Sequence, residues 1–149
     1  MAKGFTIFEL IIVIAVIGIL ALFINLGTNL VGSRAIAEAG VLKANLRFTQ
    51  SKAMSDLPGN IWSLNITASN YTIQRNGGVP NPTVSLPGSD SGTYTLPAGQ
   101  SIAAGTGQIR FNFRGQPVDA AGTPLTANVT ITVNGAPPVT VTRETGFVP

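Results

Sequence analysis

The chain has 149 residues, no cysteine and no histidine, and nine basic against six acidic side chains, for a net charge of +3. That length holds one folded domain plus an appendage. The missing residue types remove disulfides, thiolate metal sites, cysteine nucleophiles and imidazole bases together, so enzyme chemistry is disfavoured and no cofactor is expected.

Apolar residues concentrate at the amino-terminal end. Leu10 to Ile24 is an uninterrupted apolar stretch of 15, and from Phe5 to Leu26 the polar interruptions are Thr6, Glu9 and Asn25. A helix of about 20 residues spans a bilayer, so this run is long enough. A secretory signal peptide would place a small-residue cleavage site after the run, and Leu26-Gly27-Thr28-Asn29 fits that pattern poorly. An ordinary anchor leaves Glu9 unexplained, because a carboxylate within a span costs about 2.5–3.5 kcal/mol and signals a partner.

The ten residues Gly4-Phe5-Thr6-Ile7-Phe8-Glu9-Leu10-Ile11-Ile12-Val13 resemble the class III signal of type IV pilins and type II secretion pseudopilins. In that family a short basic leader, here residues 1–4 with Lys3, is removed after its glycine. The resemblance implies that prepilin peptidase cuts between Gly4 and Phe5 and that the new amino-terminal Phe5 is N-methylated. It further implies a single pass through the bacterial inner membrane, with the head in the periplasm or outside. Membrane lipid would surround the span until an inner-membrane assembly platform moves the subunit into a filament of other pilins or pseudopilins. Cleavage would create an ammonium on Phe5 four residues before Glu9, on the same helix face. By resemblance, Glu9 also meets the ammonium of a neighbouring subunit in assembly. Desolvation of both ions limits what such a pair contributes, and fixing register is its better-supported use.

Past the span, Ile36, Ala39, Leu42, Leu46 and Ala53 recur at helical spacing, with Arg34, Glu38, Lys43, Arg47 and Lys52 largely on other faces. No proline occurs between Met1 and Leu57, and Asp56-Leu57-Pro58-Gly59 is a stop signal. A single helix is therefore expected over 5–56, with 5–26 as transmembrane and assembly segment and 27–56 amphipathic. Glycines weaken it, and bending or local melting is expected near Asn25-Leu26-Gly27.

Residues 57–149 read as a β-rich globular head. Ile61–Ile66 and Tyr71–Gln74 alternate around the turn Ala68-Ser69-Asn70 and predict a hairpin. Val79–Gly92, with its prolines and glycines, predicts a loop holding at most a short strand at Thr83–Leu86. Further strands are expected at Thr93–Leu96, Ser101–Ala103, Gln108–Phe113, Ala127–Val133, Val139–Thr142 and Gly146–Val148, with a hairpin turn at Asn134-Gly135. The fold class is α+β: a long amino-terminal helix packed on a carboxy-terminal antiparallel sheet, type IV pilin-like by resemblance.

The carboxy-terminal part also resembles one subgroup. Ile109 to Pro117, with Phe111-x-x-x-Gly115, and Thr140 to Val148, with Thr145-Gly146, are similar to the GspH/FimT group of minor pseudopilins and minor pilins. Residues 60–107 match no motif. The resemblance implies a structural minor subunit that works by assembly: a GspH-like pseudopilin serving protein export, or alternatively a FimT/FimU-like minor pilin in pilus assembly, adhesion or DNA uptake.

Arg110 and Arg114 flank Phe111 and Phe113, an arrangement able to stack on nucleobases and contact phosphate. The plainer alternative turns both phenylalanines into the core and the arginines to water. Some members of the subgroup bind DNA through basic residues near the terminal Thr-Gly, but here Phe147-Val148-Pro149 follows. Nucleic acid is accordingly not an expected partner. Asp90 and Asp119 lie in loops where major pseudopilins hold calcium, yet each is an isolated acid and calcium takes six to eight oxygens. No metal is expected. Asn65, Asn70 and Asn128 match the N-glycosylation pattern and read more simply as residues of Asn/Thr-rich strands and turns.

Overall fold

The computed structural model describes residues 6–76, 79–80 and 84–149, and for 22–31 and 79–80 only the backbone. Gly4 and Phe5 lie outside the described residues. The chain forms two compact units, residues 1–34 and 35–149.

Helix α1 runs Ile7–Met54. Thr6 caps its start: the Glu9 amide donates to Thr6 Oγ1 at 3.3 Å, and the Leu10 amide to the Thr6 carbonyl at 3.2 Å. Thr6-x-x-Glu9 is thus also a helix-start pattern, with the acid in the first turn where the helix dipole favours it. Helix α1 continues through residues 25–27, so of the bending or local melting expected there the melting does not occur. The Asp56 amide closes the far end on the Ala53 carbonyl, before Pro58.

In the second unit one stripe of α1 is buried: Ala35, Ala39, Leu42, Asn45, Leu46, Thr49 and Ala53. Ile36, expected in that stripe, is 58% exposed. Counting back from Leu42 by three and then four residues gives Ala39 and Ala35, so Ile36 is rotated off the face and the smaller alanine takes its place.

The head carries β1 (Trp62–Ile66), β2 (Asn70–Arg75), β3 (Val79–Pro80), β4 (Thr93–Thr95), β5 (Ile102–Ala104), β6 (Gly107–Phe111), β7 (Pro117–Val118), β8 (Val129–Val133) and β9 (Val139–Val141). One antiparallel sheet has the order β3-β2-β1-β6-β7, with β4 also paired to β2; β5-β8-β9 form a second. The expected β1–β2 hairpin is present, with Leu64 opposite Ile73, and β8–β9 pair with Ile131 opposite Val139. Leu42 and Leu46 of α1 share one apolar core with Leu64, Ile73, Phe111, Ile131, Val139 and Val148.

Three expected strands change. Residues 84–86 are irregular. β6 stops at Phe111, because Asn112 Oδ1 accepts the Arg114 and Gln116 amides and closes a turn that Gly115 completes at φ +77°. Gly146–Val148 is no strand, since Gly146 sits at φ +69° and its amide returns to the Thr142 carbonyl.

Candidate assembly site

Between Thr6 and Ala21 every side chain of α1 is exposed, including Phe8, Leu10, Ile11 and Ile14. Glu9 is the single charge on this apolar stretch. A helix apolar on all sides is stable in a core or a bilayer, and the described residues of this unit supply neither. The surface is built to be covered. Among the described residues no helix is long and apolar enough to cross a membrane. The side chains described in the apolar run, Ile7–Ala21, make about 22 Å of helix, against a hydrocarbon core of about 30 Å.

In the head, the segments Phe111–Gly115 and Thr145–Gly146 meet on one side chain. Gln50 of α1 donates from Nε2 to the carbonyls of Gly115 at 2.9 Å and Thr145 at 2.8 Å. A Cβ on Gly146 would collide with the Gly115 carbonyl oxygen, lie 2.7 Å from Gln50 Nε2 and 3.2 Å from the Phe111 ring. The glycine is required for space as well as for its positive φ. Phe111-x-x-x-Gly115 and Thr145-Gly146 therefore work together, closing the ends of β6 and β9 onto α1. Nearby, Arg47 donates twice to the Val148 carbonyl, at 2.7 and 3.0 Å, and so straps down the buried Val148.

Two polar groupings were not read from the sequence. Asn45 Nδ2 donates to the Tyr71 hydroxyl at 3.0 Å; the Tyr71 ring stacks on Tyr94 at 5.1 Å, and Tyr94 donates to Glu38 at 2.9 Å. Burial pushes the Tyr94 hydroxyl up to about 12, helped by the Glu38 acceptor, and pushes Tyr71 higher still. Both therefore stay protonated, Tyr94 as the donor to Glu38 and Tyr71 as the acceptor from Asn45. Asp56 collects Arg75, the Trp62 indole N–H, the Leu57 amide and Asn60. The Arg75 guanidinium, then the Trp62 hydrogen bond, hold its carboxyl well below the usual range. All these partners are distant in sequence or ordinary in type, so no local pattern announced them.

Arg110 and Arg114 are placed apart in role. Arg110, half-buried on β6, lines a cleft of about 450 Å³ with Gly59, Ile61, Asn76 and Ala120, which does not include Arg114. Phe111 is fully buried, whereas Phe113 lies outside the strand, 39% exposed, with the Arg114 guanidinium 5.3 Å from its ring centre. The alternating strand assumed for this segment thus holds only to Phe111. Asp119 Oδ1 accepts the Ala121 and Thr123 amides in a turn. No group of three acidic side chains able to hold a metal occurs among the described residues. Asn65 and Asn70 lie in β1 and β2, and Asn128 accepts the Arg143 amide.

Residues 1–25 match the family model described as the prokaryotic N-terminal methylation motif. The chain carries a prepilin-type methylation signal. That motif is consistent with a type IV pilin-like prepilin, and it implies processing by prepilin peptidase and assembly with other pilins. It also implies anchorage of the pilin type at a membrane. No curated protein and no solved structure matches the chain. The Thr6 cap and Glu9 fall inside the matched signal, which joins the helix start to the processing motif.

Proposed function

We propose that the chain is a minor subunit of a pilus-like filament, most akin to a GspH-type pseudopilin of type II secretion, and that it works by assembly. The observation that carries this reading is the methylation signal at residues 1–25, which holds Glu9 as the lone charge of an exposed apolar helix. Cleavage after Gly4 frees the ammonium of Phe5, and Glu9 neutralises it or that of an adjoining subunit and fixes the register of packing. The meeting of Phe111, Gly115, Thr145 and Gly146 around Gln50 supports the subgroup, because it gives both subgroup motifs one mechanical purpose. The head then faces neighbouring subunits from the periplasmic or outer side of the inner membrane.

Glu9→Val tests the central step in cells holding the assembly machinery. Membrane insertion is expected to persist, since the substitution makes the segment more apolar, while recovery in sheared filaments falls. Equal recovery of variant and wild type in the filament fraction refutes the role of Glu9.

A further inference from the structure

The chain contains two Asn-Gly pairs, Asn76-Gly77 and Asn134-Gly135. The pair is chemically special because glycine has no Cβ to shield its amide nitrogen or restrict its backbone. That nitrogen can attack the carboxamide carbon of the preceding asparagine. The new C–N bond closes a succinimide, the carboxamide nitrogen leaves as ammonia, and water then opens the ring. Opening at one carbonyl gives aspartate, and at the other isoaspartate, whose backbone passes through the former side chain. Water is the only co-reactant, and nothing is oxidised or reduced.

The structure treats the two asparagines differently. Asn76 is tied on both sides of its carboxamide: Oδ1 accepts the Ile61 amide at 3.0 Å and Nδ2 donates to Asn60 Oδ1 at 3.0 Å. Its own backbone is held at φ 53°, and its amide donates to the Ile61 carbonyl at 2.7 Å. Swinging that carboxamide onto the next nitrogen breaks two hydrogen bonds. Asn134 is exposed, and among the described residues no hydrogen bond engages its carboxamide or the Gly135 amide. The turn around it is held by Asn134 N–H to the Ser101 carbonyl and Ala136 N–H to the Val133 carbonyl, which leaves nucleophile and electrophile both free among the described residues.

We infer that Asn134-Gly135 is a site of spontaneous covalent modification in the folded head, converting to isoaspartate and aspartate, and that Asn76-Gly77 is protected by the fold. The site has a structural consequence. A Cβ built on Gly135 would lie 3.5 Å from Ala35 Cβ, so the turn rests against α1. Isoaspartate lengthens the turn by one backbone atom and adds a negative charge. The same hairpin supplies Pro137 and Pro138 to a groove of about 240 Å³ with Ile36, Gly40 and Lys43, so the conversion alters a surface of the head.

The test uses the full-length protein in detergent, incubated at mildly alkaline pH and sampled over time. Peptide mass spectrometry is expected to show a gain of about 1 Da on the Asn134 peptide, with an isoaspartyl methyltransferase labelling the same peptide. Conversion at Asn134 should exceed that at Asn76 by about tenfold or more. In urea both sites should convert at similar rates, which ties the protection of Asn76 to folding. Asn134→Gln should abolish the signal while leaving Trp62 fluorescence native, because the longer side chain closes a less favourable ring. Comparable rates at both sites in the folded protein, or no conversion at Asn134 before unfolding, overturn the inference.

Discussion

The segments Ile7–Ala21 and Ala35–Ala53 of α1 share one backbone conformation and differ in what their apolar side chains meet. In the first, Ile14 is 62% exposed and so, to varying degrees, are all its neighbours; in the second, Leu42 and Leu46 are fully buried against β-strands. The two segments differ in pattern as well as in burial. The second segment presents one narrow stripe, with charges elsewhere, because its own sheets cover a single face. The first is apolar all round apart from Glu9, a pattern suited to lipid or to helices of other subunits, which the chain does not itself contain. One segment is finished by folding and the other, on the function proposed above, by assembly.

That contrast predicts unequal effects of similar substitutions. Leu46→Ala should cost about 2–5 kcal/mol of head stability, as for other fully buried leucines. Trp62, the one tryptophan and itself buried, reports the unfolding by fluorescence in detergent. Gly146→Ala should follow at about 2–4 kcal/mol, combining a left-handed backbone with a Cβ driven into the Gly115 carbonyl and Gln50. If Gly146→Ala melts like wild type, the junction at Gln50 does not close the head as described.

Asp56 sharpens the comparison at the end of the helix. Its folded-state pKa is depressed, chiefly by Arg75, so its contribution is fully present above the ordinary carboxylate pKa of about 3.9 and shrinks as pH falls below it. The difference in melting temperature between wild type and Asp56→Asn should accordingly narrow between about pH 6 and pH 2. Arg75 is partly exposed, so the effect is modest. A gap that widens on acidification contradicts the assignment.

Elements with local causes were legible in the sequence. The proline-free run, the stop at Asp56–Gly59 and the turns at 68–70 and 134–135 specify α1 and two hairpins through neighbouring residues. Glu9 stands out as a lone charge for the same reason, judged against its immediate surroundings, and its part in assembly is the proposal made above. What failed depended on partners. Ile36 outranks Ala35 on hydrophobicity, but the phase of α1 is set by the sheets it meets. β3 and β7 are two-residue strands that exist only through pairing with β2 and β6. Phe113 alternates correctly with Phe111, yet Asn112 offers its side chain to the following amides and ends the strand. Gln50 and Asn45 look like ordinary helix polar residues until carbonyls 65 and 95 positions away, or a hydroxyl 26 away, arrive beside them.

The smallest effect is the most direct test of the two-segment contrast. Ile14→Ser removes an apolar side chain that is 62% exposed, and in the isolated subunit that surface has no protein partner among the described residues. Head stability should therefore change by less than about 0.5 kcal/mol, as for an uncoupled surface site. Detergent covers both versions of the segment, so the Trp62 transition should overlay that of wild type. In cells, where assembly must bury the same face, filament recovery should drop. A melting shift comparable to that of Leu46→Ala would mean that the head uses the first segment for its own stability, and the division of α1 into a folding half and an assembly half would fail.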